Sequence, residues 1–262
     1  MTPTEPWATL RARYTVHEDE AVLVWNKPVG LSVMGERHDT DLVRMAAAAG
    51  ERLYPVHRID KATSGLVLLA KRLADHGGLT RQFAARTAVK TYLAVTESTG
   101  LPALGEIDLP LRTGRKNRVR VAAPRESIVR VGDRWSVPPS VVFDQGRNYP
   151  STTRFAAVWR NRRRTLVAVR PITGRRHQIR VHLAWIGHPI VADPLFVDAP
   201  TDRMLLHSWR LSVDADWLGG RRLDLVAEPG EDFFAPVQPI DTVAVLDRAG
   251  TALPDEGPGA GD

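Results

Sequence analysis

An α+β domain is the fold class this 262-residue sequence predicts, and three observations carry it. Short apolar runs with strand character recur along the chain: "AVLVW" (21–25), "LVLLA" (66–70), "KTYLAV" (90–95), "RVRVA" (118–122), "TLVAV" (165–169) and "MLLHSWRLSV" (204–213). Helical patterns fall at 42–50, 75–87 and 172–189. The two kinds do not alternate regularly, so a doubly wound βαβ order is not expected.

Element by element, residues 1–13 read as a loose lead-in. "NKPVGL" (26–31) is a Pro-Gly turn behind the first strand. "LVRMAAAAG" (42–50) is a short helix ending at Gly50. "LVLLA" sits between a turn and Lys71-Arg72 and reads as a buried strand. In "DHGGLTRQFAART" (75–87) Leu79, Phe83 and Ala84 stand at helical spacing, an apolar stripe to pack on a sheet. "KTYLAV" alternates and is β-branched at Thr91 and Val95.

Residues 123–151 are irregular, with Pro124, Pro138, Pro139 and Pro150. A stretch this long is either a functional loop or hides short strands. "ITGRRHQIRVHLAWIGHP" (172–189) predicts a helix capped by Thr173, striped by Ile179, Leu183 and Ile186, and ended by Gly187 and Pro189. Arg176 and Arg180, four apart, would share one face of it. Residues 251–262, acidic and rich in Gly and Pro, read as a disordered tail.

A hydrophobic content of 43% supports a sizeable core, here one main domain over 14–250. No apolar stretch is long enough to span a bilayer and the first residues lack the apolar core of a signal peptide. A soluble, cytoplasmic monomer with no membrane partner is expected. The absence of cysteine excludes disulfides, thiolate-ligated zinc and cysteine nucleophiles. His177 and His182 are five apart and miss the spacing of a helical zinc pair, so no metal is expected. The net charge of +6 points to a polyanionic partner or to a solvated basic surface. Dense basic runs at 112–121 and 160–164 favour the former.

Nucleotide-binding glycine loops of the G-x-G-x-x-G and G-x-x-x-x-G-K-[ST] types are absent. Ser64 lacks the G-x-S-x-G context of a nucleophile and reads as a turn residue. Asp60 in "HRIDKATSG" (57–65) is a lone acid among cations. By itself it reads as a helix cap, a turn acceptor, an ion-pair partner or a catalytic carboxylate. A carboxylate that attacks carbon must stay ionised and aimed, and a nearby cation does both. Arg175 or Arg180 are candidates for that cation.

At these residues the chain resembles a known family, the RluA-type pseudouridine synthases. "PVHRIDKATSGLVLLAK" (55–71) resembles their H-R-L-D-x-x-T-S-G-L-L-L-x-A-K motif, and "NKPVGL" their N-K-P-x-G motif. "KTYLAV" resembles K-x-Y-x-A. "PITGRRHQIRVHLAWIGHPIVADPLF" (171–196) resembles T-G-R-x-H-Q-I-R-x-H-L-x-x-x-G-H-P-I-x-G-D, and "LLHSWRL" (205–211) the closing L-H-A-x-x-L stretch. The matches run in family order over about residues 14 to 230.

The resemblance implies a pseudouridine synthase fold: a mixed, mainly antiparallel central sheet with flanking helices and a catalytic cleft. It implies isomerisation of uridine to pseudouridine in a stem-loop of ribosomal or transfer RNA, without cofactor. Asp60 matches the nucleophile; attack on ribose, attack on the base and a glycal route stay open. Tyr92, by itself a core aromatic, matches the active-site tyrosine that stacks on the target base and removes a proton. Arg180 matches the arginine that pairs with the aspartate.

RNA contacts are expected from Lys27, His57, Arg58, Arg115, Lys116, Arg175, Arg176 and His177. Ala192 replaces the family's glycine in G-D, which puts the turn there in question. The accessory RNA-binding domain many members carry in front is not expected. A catalytically silent RNA-binding or RNA-folding factor on the same fold is the alternative; retention of Asp60, Tyr92 and Arg180 argues against it.

Overall fold

A computed structural model describes residues 5–35, 41–197 and 203–253. In chain order the first elements are α1 (Trp7–Tyr14), β1 (Thr15–Glu18), β2 (Val22–Lys27), α2 (Leu42–Ala48), β3 (Tyr54–Pro55), β4 (Ser64–Ala70) and α3 (Leu73–Ala85). Next come β5 (Val89–Thr96), β6 (Leu104–Asp108), β7 (Leu111–Thr113), β8 (Val119–Val121), β9 (Val129–Val131), β10 (Arg134–Ser136) and β11 (Asn148–Tyr149). The chain continues through β12 (Thr152–Arg160), β13 (Thr165–Pro171), α4 (Gln178–Trp185), β14 (Leu206–Ala215) and β15 (Arg221–Val226). It ends with α5 (Glu231–Phe234) and α6 (Thr242–Ala252). Two units result, Met1–Lys90 with Leu206–Gly230, and Thr91–Leu205 with Glu231–Asp262.

In the first unit β4 is the central strand. All seven of its residues are buried, which is why "SGLVLLA" reads as an unbroken apolar run instead of an alternation. It pairs antiparallel with β2 and β3 and parallel with β14, which carries β15 antiparallel. Leu79 of α3 packs into the core of Val22, Val24, Leu66, Leu68, Leu211 and Val213, as its spacing predicts. The expected loose lead-in is instead helix α1. Its buried Trp7 lies 5.2 Å, centroid to centroid, from Trp25 and donates its indole N–H to Glu51 at 2.7 Å.

In the second unit β5, β13, β12 and β6 pair antiparallel in that order, β10 joins β6 in parallel, and β9 closes the edge. A separate three-stranded antiparallel sheet runs β11–β7–β8. The irregular 123–151 stretch thus hides three short strands. Both units are mixed and mainly antiparallel, the α+β class the sequence predicts. Helix α4 begins at Gln178, not near Thr173. The preceding His177 has φ of 55°, a left-handed conformation that cannot belong to an α-helix. Arg176 therefore lies outside the helix and shares no face with Arg180. Helix α6 continues to Ala252, past the expected start of the tail, and residues 254–262 lie outside the described residues.

Candidate active site

The turn that carries Asp60 is fixed from several sides within the first unit. The Asp60 carbonyl accepts from the Thr63 N–H at 3.0 Å, closing a tight turn ahead of β4. The Lys61 carbonyl accepts from the Gly30 N–H at 2.8 Å. Gly30 has φ of 83°, so the glycine of "NKPVGL" is there for its backbone. The Lys27 ammonium donates to the carbonyls of Leu31 at 2.7 Å, Pro28 at 2.8 Å and Lys61 at 3.4 Å. Lys27 is fully buried, which corrects its expected role as a phosphate contact. Its ammonium ties the Pro-Gly loop to the Lys61 carbonyl of the Asp60 turn.

The residues after Asp60 are equally committed. Ser64 donates its hydroxyl to His207 Nδ1 at 2.8 Å, and His207 Nε2 donates to the Ala227 carbonyl at 2.7 Å. Both side chains are buried, so Ser64 locks β4 to β14 and β15. Gly65 has φ of 107°, and a Cβ there would stand 2.2 Å from the Ser208 carbonyl oxygen. Only glycine allows β14 so close.

His57 is also a structural residue. Its Nε2 accepts from the Leu68 N–H at 3.1 Å, continuing the β3–β4 pairing with a side chain. Its ring stacks on Phe83 at 4.6 Å, and Lys90 Nζ lies 5.5 Å from that Phe83 ring. Burial, and then the Lys90 charge, push His57 down to about 3, so it is a neutral acceptor with its proton on Nδ1. It is not the cationic RNA contact its place beside Arg58 implies. Burial also pushes Lys90 down to about 8. Arg58 is exposed, as a contact to RNA requires, and Asp60 is half-buried.

The second unit holds the other two expected catalytic residues. Tyr92 is buried on β5 opposite Val169 of β13. Arg180 is buried on α4, where its Nε and Nη2 donate to Asp193 Oδ2 and Oδ1 at 2.9 and 2.6 Å. Asp193 is fully buried, and its Oδ1 also accepts from the Leu195 N–H at 2.9 Å. Its turn is tied to the strand of Tyr92, since the Val191 N–H donates to the Val95 carbonyl at 2.9 Å. Sequence reasoning passes over Asp193; the signal was the acid that closes "HPIVAD".

Gln178 organises the loop before α4. Its Oε1 accepts from the Thr173 hydroxyl at 2.7 Å and the Arg175 N–H at 3.0 Å. Its Nε2 donates to the Thr152 carbonyl and Thr153 hydroxyl at 2.9 and 3.0 Å. Thr173 thus anchors Gln178 instead of capping a helix. Arg175 and Arg176 are left exposed, His177 is half-buried, and Arg115 is exposed on the 3-10 turn between β7 and β8. The Lys116 side chain lies outside the described residues. His182 is fully buried between the Thr153 hydroxyl and the Leu109 carbonyl, each at 2.9 Å, and burial pushes it down to about 4. No helix among the described residues is long and apolar enough to cross a membrane.

Residues 21–185 match the family model described as RNA pseudouridylate synthase. The dual-specificity RNA pseudouridine synthase RluA of Vibrio parahaemolyticus is 36% identical over 271 aligned positions, covering 94% of this chain and 96% of that one. The protein of the same name from Escherichia coli K12 is 34% identical over 224 positions, covering 80% and 89%. Among solved structures, human RNA pseudouridylate synthase domain containing 4 superposes with a TM-score of 0.68 at 25% identity, covering 95% of this chain and 97% of that one.

Proposed function

We propose that this chain, which belongs to the RNA pseudouridylate synthase family and is an RluA-type isomerase, converts uridine to pseudouridine in stem-loops of 23S ribosomal RNA, transfer RNA or both, with Asp60 as nucleophile and no cofactor. The reaction balances without a co-reactant. The bond from N1 to the ribose C1′ breaks, the base turns, C5 bonds to C1′, the C5 proton leaves, and N1 takes up a proton, so the product is an isomer of the substrate.

Asp60 supplies the carboxylate that captures the reacting uridine once it has left its stack. Tyr92 packs against the base and takes the C5 proton. Arg180 holds the nucleophile ionised and aimed. Arg58, Arg115, Lys116, Arg175, Arg176 and His177 meet the RNA. The setting is the cytoplasm and the working form a monomer.

One observation carries this reading best. Lys27, Gly30, Thr63, Ser64 and Gly65 all serve to fix the short turn that displays Asp60. A fold that commits so many groups to one acidic turn supports a reacting carboxylate more than a surface acid. Substrate choice is tested with unmodified 23S and transfer RNA from cells lacking the gene. Each is incubated with the protein, and new pseudouridines are mapped by carbodiimide-dependent stops. New sites are expected in at least one pool. Stops unchanged in both would remove the substrate assignment.

A further inference from the structure

The three-stranded sheet β11–β7–β8 concentrates arginines that have no acid to neutralise them. Arg112 on β7 and Arg120 on β8 stand directly opposite each other in the register, a like-charge pair that by itself destabilises a sheet. Arg147 and Arg175 both lie over the ring of Tyr149, at 5.0 and 5.3 Å from its centroid. Arg112 lies over Phe143 at 5.3 Å. Among the described residues none of these four arginines forms an ion pair, and neither does Asp144, the acid nearest Arg147 in sequence. Several surface arginines elsewhere are matched: Arg134 meets Glu106 and Asp108, Arg154 meets Glu106, and Arg222 meets Asp214.

Unneutralised cations gathered on one small sheet cost folding energy unless an anion joins them. The ring of Tyr149 lowers the entropic cost of meeting that anion, because it holds two guanidiniums in place beforehand. Arg175 and the ring itself start from fixed backbone. The Arg175 N–H is held by Gln178, and Tyr149 pairs with Leu111 in the sheet.

We propose that the sheet β11–β7–β8 is a clamp for the RNA backbone, in which Tyr149 presents the guanidiniums of Arg147 and Arg175 to phosphates. The clamp rests on the reading of RNA as substrate, adds Arg147, Tyr149 and Arg112 to the contact surface, and gives Arg175 its geometry. Arg147 lies just before β11, outside the motifs that resemble the family's.

The test uses the full chain, a fluorescein-labelled RNA stem-loop, and a salt titration of its dissociation constant. Tyr149→Leu and Arg147→Ala should each weaken binding roughly fivefold or more at low salt and flatten the log–log salt slope by about one. Tyr149→Phe keeps the ring face and should bind like wild type. Equal thermal midpoints confirm that all three are folded; Arg147 is exposed, so its truncation spares the core. Wild-type affinity and slope in both Tyr149→Leu and Arg147→Ala would overturn the clamp. So would a Tyr149→Phe variant as weak as Tyr149→Leu, which would assign the effect to the hydroxyl. Tritium release by wild type, measured in parallel, reads the catalytic assignment separately: a protein that releases nothing but shows these salt slopes keeps the clamp and loses the reaction.

Discussion

The guanidinium of Arg180 is held by the carboxylate of Asp193 through two hydrogen bonds, Nε to Oδ2 at 2.9 Å and Nη2 to Oδ1 at 2.6 Å, with both side chains buried. A planar fork bound along one edge has its orientation set and presents its remaining N–H groups in a fixed direction. Asp193 is thus a positioning residue for Arg180. Breaking a buried pair from one side leaves an uncompensated charge, a cost of about 3–5 kcal/mol. Asp193→Asn is expected to lower stability by that order in urea unfolding. At a temperature where it stays folded, it should lose turnover with RNA affinity nearly unchanged. Arg180→Lys keeps the charge but cannot make both bonds, and should show the same split. Wild-type turnover in folded Asp193→Asn would separate the ion pair from catalysis.

The turn before Asp193 contains Ala192 at φ of 55°, where the family pattern has glycine. An L-residue pays about 1–2 kcal/mol in that region. Glycine removes the strain but brings a more flexible unfolded chain, worth about 0.4–1 kcal/mol in the other direction. Ala192→Gly is therefore expected to raise stability by up to about 1 kcal/mol, read as a higher thermal midpoint. A lower midpoint would mean that the alanine methyl contributes packing that outweighs the strain.

At Gly65 the sign reverses. A methyl group would collide with the Ser208 backbone, and the positive φ adds strain. Gly65→Ala should cost upwards of ~3 kcal/mol. Because Gly65 pairs with Ser208 and Lys27, the damage falls on the frame of the Asp60 turn. Activity should fall even where circular dichroism still reports a folded chain. Unchanged chemical-denaturation midpoints would contradict the close β4–β14 contact.

His57 and His182 give the protein a predictable acid sensitivity. Both have folded-state values pushed well below 6.5, to about 3 and about 4. Between those values and 6.5 the unfolded chain binds protons that the folded chain does not. Stability is thus fully present above pH 6.5 and is lost as pH falls toward 4. Urea midpoints measured from pH 4 to 8 should rise with pH and level off near 7. His182→Gln, neutral throughout, should flatten the rise; a slope equal to wild type would exclude His182 as its source.

How far the sequence led depended on how local each signal was. Strand β4, helix α2 and helix α3 announce themselves in an apolar run, a cap and a stripe; all three form, with Leu79 and Phe83 of the stripe packed on the core while Ala84 is exposed. Strands β9 to β11 are two or three residues long, too short to show a period. Helix α1 is rich in arginine and held by Trp7, Leu10 and a pair to Glu51 some forty residues away. The start of α4 differs from the expectation because Thr173 has the chemistry of a cap while its hydroxyl is claimed by Gln178. Lys27 and His57 look like surface cations by residue type. Lys27 turns inward onto the carbonyls of its own Pro-Gly loop and of Lys61, and His57 onto the Leu68 amide, burial that only the folded chain creates. Asp193 hid for the same reason, since its partner lies thirteen residues earlier on a helix.

The most direct measurement of the central claim is tritium release from C5 of labelled uridine in RNA from cells lacking the gene, with wild type and Asp60→Asn side by side. Release by wild type, none by Asp60→Asn, and comparable RNA affinity for both is the predicted result. Equal release by the two proteins would remove Asp60 as nucleophile. Release by neither, from ribosomal and transfer RNA alike, would contradict the isomerase assignment and leave an RNA-binding protein on this fold.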